Sequence, residues 1–167
     1  SSTLKAYTTG YSYFDNTPPG SATISNPVLH KKAGGLGTYA DPVTVAVGHT
    51  ITNNKDILDY KQGTRFYVPN VRKYFIVEDT CGDGKTPQNI PCHSLKTAPK
   101  GVTVWLDLWI GGKGSTRKQA DKCMSDVTDG NGAIHTAILN PKRGYATVSG
   151  DILKNGVCRT GYGNTAK

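Results

Sequence analysis

Asp107 stands between the chain's only two tryptophans, in the run Val104-Trp105-Leu106-Asp107-Leu108-Trp109-Ile110. In an extended strand alternate side chains share a face. Val102, Val104, Leu106, Leu108 and Ile110 then form a core face. Thr103, Trp105, Asp107 and Trp109 form the opposite one. Aromatic rings stack on the apolar faces of sugars, and a carboxylate between them can protonate a glycosidic oxygen. Two further aspartates end apolar runs: Asp79 closes Tyr74 to Asp79, and Asp15 follows Tyr11-Ser12-Tyr13-Phe14. Glu78 is the only glutamate, so an acid/base pair must come largely from aspartates. Each position also has a plainer use. Asp107 could pair with Lys113, and Asp79 or Asp15 could bind a turn amide.

Other chemistries lack their residues. The sequence contains no Gly-x-Ser-x-Gly elbow, no His-Glu-x-x-His helix and no P-loop. His30, His49, His93 and His135 have no metal-ligand spacing, so no metal and no cofactor are expected. Cys81, Cys92, Cys123 and Cys158 form an even set without a Cys-x-x-Cys pair. Two disulfides and an oxidising, extracellular setting follow, with three pairings open.

The elements that must position these residues are short strands. Twenty Gly and nine Pro favour turns over long helices. Strands are expected over Leu4–Tyr13, Val43–Val47, Thr64–Val68, Tyr74–Asp79, Val102–Ile110, Ala133–Leu139 and Tyr145–Val148. One helix is expected over Ser115–Met124, with Ser115 or Thr116 as its N-cap. Residues from Gly161 onward read as a frayed tail. Neither a linker nor a repeat divides the chain, and 167 residues suffice for one domain spanning 1–167. No stretch reaches membrane-spanning length, and no basic-then-apolar leader stands at the N-terminus.

The net charge of +8 attracts polyanions, including anionic glycans and bacterial walls. Its basic residues fall in scattered doublets such as Lys31-Lys32 and Arg117-Lys118, so a nucleic-acid surface is weakly supported. The expected partner is a polysaccharide bound by a monomer, without nucleic acid or membrane.

The runs Phe75-Ile76-Val77-Glu78-Asp79-Thr80 and Val104 to Gly111 resemble the paired signature of the 3D domains. These are double-psi β-barrels found in MltA-type lytic transglycosylases and other wall-turnover proteins. The likeness covers roughly residues 4 to 112. It implies a mainly β fold, a six-stranded double-psi β-barrel with loop insertions and one or two short helices. It also implies that Asp107 is the principal acid/base and that Asp79 lies beside it. Two departures stand out. The long Cys81–Gly101 stretch replaces a short Gly-rich link, and Gly48-His49 stands where the family often has Asp-Pro.

Double-psi barrels also include glycoside hydrolase family 45 endoglucanases and the non-hydrolytic expansins and loosenins. Tyr13-Phe14-Asp15 is similar to the aromatic-aromatic-Asp of those endoglucanases, which implies that Asp15 is a general base and Asp107 the acid. An inverting pair needs carboxyls about 6.5–9.5 Å apart to admit a water. The combined expectation is a secreted, muramidase-like glycosidase acting on peptidoglycan. Asp107, Asp79 and Asp15 would be catalytic, with Trp105, Trp109, Tyr13 and Tyr11 lining the sugar groove. A family-45-like glucanase and a loosenin-like binding protein remain the alternatives.

Overall fold

The computed structural model describes all residues 1–167. Its strands are β1 (Ser2–Ser12), β2 (Val43–Val47), β3 (His49–Thr52), β4 (Lys55–Leu58), β5 (Arg65–Val68), β6 (Lys73–Thr80), β7 (Val104–Gly111), β8 (His135–Leu139), β9 (Leu153–Lys154) and β10 (Val157–Cys158). The single α-helix, α1, spans Arg117–Asp129.

Six strands close a barrel. β1 pairs parallel with β7, β7 antiparallel with β2, and β2 parallel with β6. β6 pairs antiparallel with β5, β5 with β8, and β8 with β1. The protein is therefore mainly β, a closed six-stranded barrel with one helix, as the sequence led us to expect. Two parallel pairs distinguish it from an up-and-down barrel, in which every neighbour is antiparallel. Closure also leaves the six strands no free edge.

Alternation explains the core. Val45, Val47, Phe75, Val77, Leu106 and Leu108 belong to one buried apolar cluster. Residues of the other parity, including Thr44, Ala46, Trp105 and Asp107, point out of the barrel toward the covering loops, under which Thr44 and Ala46 are also buried. At about 25 cal/mol per Å², each fully buried Leu or Phe contributes roughly 1.5–3 kcal/mol. The helix adds Ala120, Cys123 and Val127 to that cluster. Thr116 starts it with a capping box: its side chain accepts from Gln119 N, while the Gln119 side chain accepts from Thr116 N. Helix and barrel approach closely at Gly10, where a Cβ would lie 3.0 Å from Ile110 Cγ2 and 3.2 Å from Met124 Cγ.

Three expectations need correction. Tyr145–Val148 is not a strand. It is held as a strap: Tyr145 stacks on Tyr67, and the Tyr67 hydroxyl donates to Ala146 O. The buried Lys73 ammonium donates to Val148 O. The tail is not frayed, because Tyr162 N donates to Asn70 O, Ala146 N donates to Lys167 O, and Arg72 lies over the Tyr162 ring. Backbone hydrogen bonds at polar residues override the tail-like composition. The helix also runs to Asp129, beyond the expected Met124.

Two hairpins were not anticipated. β3–β4 turns at Asn53-Asn54 and β9–β10 at Asn155-Gly156, all four residues having positive φ. That is the geometry that two-residue turns of the primed types require. The disulfides pair Cys81 with Cys92 and Cys123 with Cys158. The second ties α1 to β10.

Candidate active site

The parallel register of β1 against β7 places Tyr7 beside Trp105, Thr9 beside Asp107 and Tyr11 beside Trp109. Both strands present these residues on the outer face, so two aromatic pairs flank a central polar pair. Tyr7 meets Trp105 edge-on at 4.8 Å, and Tyr11 meets Trp109 edge-on at 5.2 Å. Between them the Thr9 hydroxyl donates to Asp107 Oδ1 at 2.9 Å, and the Trp105 indole N–H donates to Thr9 Oγ1 at 2.9 Å. Asp107 is thereby fixed by a two-step relay that starts on its own strand.

On the other side, β2 carries Ala46 opposite Asp107, and β6 carries Asp79 opposite Ala46. At roughly 4.8 Å per strand, the backbones at Asp107 and Asp79 are about 10 Å apart across the sheet. The methyl of Ala46 leaves the space between them open.

Asp79 reaches this face through a bulge. The β2–β6 register shifts between Val45 and Ala46, so Glu78 is inserted between Val77 and Asp79. A bulge re-aims the side chain that follows it. Here both consecutive carboxylates leave the barrel on the outer side. Glu78 turns toward the loop at 28–30. It accepts from the amides of Val28, Leu29 and His30 and from Thr44 Oγ1, and it pairs with His30 Nδ1 at 2.7 Å. The other His30 nitrogen meets Asp41 at 2.6 Å. Burial pushes the imidazole pKa down, but bonds to Asp41 and Glu78 outweigh it and leave it raised. This cluster braces the loop that leads into the site.

Asp79 accepts from the Tyr11 hydroxyl at 2.7 Å on Oδ2, and from Ser25 N, Ser25 Oγ and Thr80 N on Oδ1. Burial still raises its pKa against those bonds. Asp15 is exposed. It accepts from Ser12 N and Ser12 Oγ on Oδ1, and Oδ2 makes no hydrogen bond within the chain. For Asp107, burial is the largest influence and the Thr9 bond opposes it. The negative charges of Asp15 and Asp79 push the same way as burial, and the pKa stands at about 7.

These residues line one cleft of about 600 Å³. Its walls are the loop from Asp15 to Ser25 and the loop from Cys81 to Cys92. The Cys81 and Cys92 sulfurs and an Asp107 oxygen all lie within 4.8 Å of one another, so the disulfide is packed against the carboxylate. Joined as a disulfide, these sulfurs offer no thiolate to a metal. The roof loop sits directly on Gly48, where a Cβ would come within 2.7 Å of His93 Cα and 2.9 Å of Cys92 O. That contact requires glycine at 48.

The cleft brings together Asp107, Asp79, Asp15, Trp105 and Tyr11. It does not include Trp109 or Tyr13, which line a neighbouring cavity across the Asp15–Ser25 loop. Trp109 is 5% exposed and packs into the core cluster as well. Sequence reading missed Thr9, Ala46 and Ser25. Thr9 had a usable signal, since Tyr7, Thr9 and Tyr11 repeat the alternation of Trp105, Asp107 and Trp109.

The model of a domain family, the DDB_G0273701 N-terminal domain, matches residues 3–159. The chain belongs to that family. An uncharacterized Dictyostelium discoideum protein, DDB_G0273701/DDB_G0273221, is 45% identical over 73 residues, which is 44% of this chain and 28% of that relative's length. No solved structure matches.

Proposed function

We propose that this domain is a secreted glycosidase that cleaves peptidoglycan by carboxylate acid/base catalysis. The observation that carries the reading is the convergence of Asp107, Asp15 and Asp79 on one cleft beside Trp105. Asp107 acts as the general acid, because a pKa of about 7 keeps its proton available in mildly acidic and neutral solution. Asp15 is the base that activates water, since Oδ2 is not committed to Ser12 and the residue is exposed. Asp79 is a positioning residue: its oxygens are taken by Tyr11, Ser25 and Thr80, and its charge helps hold the Asp107 proton. Trp105 offers the ring on which a sugar stacks, and the glycan chain is the partner of a monomeric enzyme.

The two disulfides and the positive net charge support an extracellular enzyme working on an anionic wall. No helix is long and apolar enough to cross a membrane.

Turbidity clearing of purified peptidoglycan, followed by mass spectrometry of the products, tests the reading. Wild-type protein should clear the suspension and release reducing ends, and Asp107→Asn should lose activity by at least a hundredfold. Near-wild-type clearing by Asp107→Asn would sink the assignment. The uncommitted oxygen of Asp15 in the same cleft also fits a family-45-like β-1,4-glucanase. Reducing ends from cellulose without wall lysis would decide for that enzyme. Glycan binding without new ends would instead indicate a loosenin-like protein.

A further inference from the structure

A second cavity of about 480 Å³ lies across the Asp15–Ser25 loop from the cleft. Trp109 and Tyr13 supply its aromatic surface, and Lys32 and Lys113 stand at its margin. Both lysines are exposed and neither belongs to any of the chain's ion pairs. The one carboxylate in the lining is Asp151; burial raises its pKa against the positive charges of Lys73, Arg159 and Lys154, and it forms no ion pair. Two lysines against one carboxylate leave the lining with an excess of positive side chains. The cleft has the opposite character: Asp15, Asp79, Asp83 and Asp107 line it, and no Lys or Arg does.

Trp109 lies two residues beyond Asp107 on the same strand face, a distance of about 7 Å. A chain gripped at Asp107 thus has its neighbouring units, or their substituents, within reach of the lysines. We propose that this second cavity binds a carboxylate-bearing substituent of the glycan, with Lys32 and Lys113 holding the carboxylate and Trp109 and Tyr13 packing on the apolar part. The placement along the chain rests on the glycosidase reading, but the binding itself does not. Carboxylates of two origins satisfy this chemistry: the lactyl-peptide arm of muramic acid and the acid group of a uronic sugar. The cavity gives the site polarity, with the uncharged part of the substrate in the acidic cleft and the anionic part in the basic cavity.

The two tryptophans make the test local. Indole N–H resonances of ¹⁵N-labelled protein report Trp105 in the cleft and Trp109 in the cavity separately. Titration with muramyl dipeptide, which has no glycosidic bond to cut, should move the Trp109 signal. N-acetylglucosamine, its neutral counterpart, should leave that signal in place. Lys32→Ala/Lys113→Ala should weaken muramyl dipeptide binding about tenfold, the sum expected of two exposed charge contacts. A Lys118→Ala/Lys122→Ala control of the same net charge on α1 should bind as wild type. Glucuronic acid separates the sources: binding comparable to muramyl dipeptide means that the carboxylate alone is recognised, and weaker binding means that the lactyl-peptide arm is. Movement confined to Trp105, equal binding of the neutral sugar, or an unaffected Lys32/Lys113 variant would overturn the proposal. Because no cleavage is read, Trp109 binding can hold while peptidoglycan clearing fails, and the reverse.

Discussion

Asp107 is protonated below about pH 7 in the folded chain but only below about 4 once unfolded. Two consequences follow with definite signs. Activity that needs the acid form should fall as pH rises through about 7, seen as the alkaline limb of the kcat/KM profile. Stability moves the same way: between about pH 4 and 7 the folded state holds the extra proton, so raising pH destabilises it. Asp107→Asn removes that penalty. The inactive variant should melt a few degrees above wild type at pH 8, on the order of 1–3 kcal/mol, with the gap closing toward pH 4. Thr9 gives a finer handle, because its hydroxyl stabilises the ionised form of Asp107. Thr9→Val should shift the alkaline limb to higher pH by several tenths of a unit to about one. An unmoved limb would show that Thr9 does not set this pKa. Asp107 was legible because the chain's tryptophans frame it. Thr9 carries a fainter mark, the Tyr7-Thr9-Tyr11 alternation, and only pairing with β7 gives it a role.

At the scale of elements, the two disulfides have separable tasks. Cys123–Cys158 closes a separation of 35 residues between α1 and β10. Its removal as Cys123→Ser/Cys158→Ser should cost about 3–4 kcal/mol of stability, read as a lower denaturation midpoint. Cys81–Cys92 holds the roof loop against Asp107. Cys81→Ser/Cys92→Ser should reduce turnover at least tenfold while protein that is still folded shows a normal barrel spectrum. Intact turnover would show that the roof loop stays placed without its bridge. Strands with strong alternation, such as β2 and β7, could be read from sequence. The Asn53-Asn54 and Asn155-Gly156 turns are marked in the sequence only by residue types that tolerate positive φ. The Tyr145–Val148 strap could not be read, because the Tyr145 ring and the carbonyls of Ala146 and Val148 serve contacts with Tyr67 and Lys73 that lie some 75 residues away.

Over the whole molecule, charge is divided rather than spread. All 20 basic residues lie outside the cleft, whereas four of the 12 acidic ones line it. The long-range field gathers an anionic wall, while the cleft takes the uncharged stretch of glycan at short range. Raising salt from about 20 to 300 mM shortens the screening length from roughly 20 to 6 Å. Clearing of whole walls should therefore slow severalfold, whereas cleavage of a neutral soluble oligosaccharide should barely change. Equal slowing of both would remove the field from the account. Net charge was plain in the sequence, but its segregation depends on which loops fold over the barrel.

The inserted residue in β6 bears on how this chain can change over time. Glu78 and Asp79 are adjacent, yet one braces a loop and the other stands in the cleft, because a register slip sends both outward. Loss of Glu78 would restore regular pairing of Val77 with Val45 and of Asp79 with Ala46, so Asp79 would keep its place while the amides at 28–30 lost the carboxylate that braces them. Substitutions there can be graded and repaired one at a time, but a change in length has no intermediate. Descendants of this chain should therefore vary in the letters of β6 and keep its count.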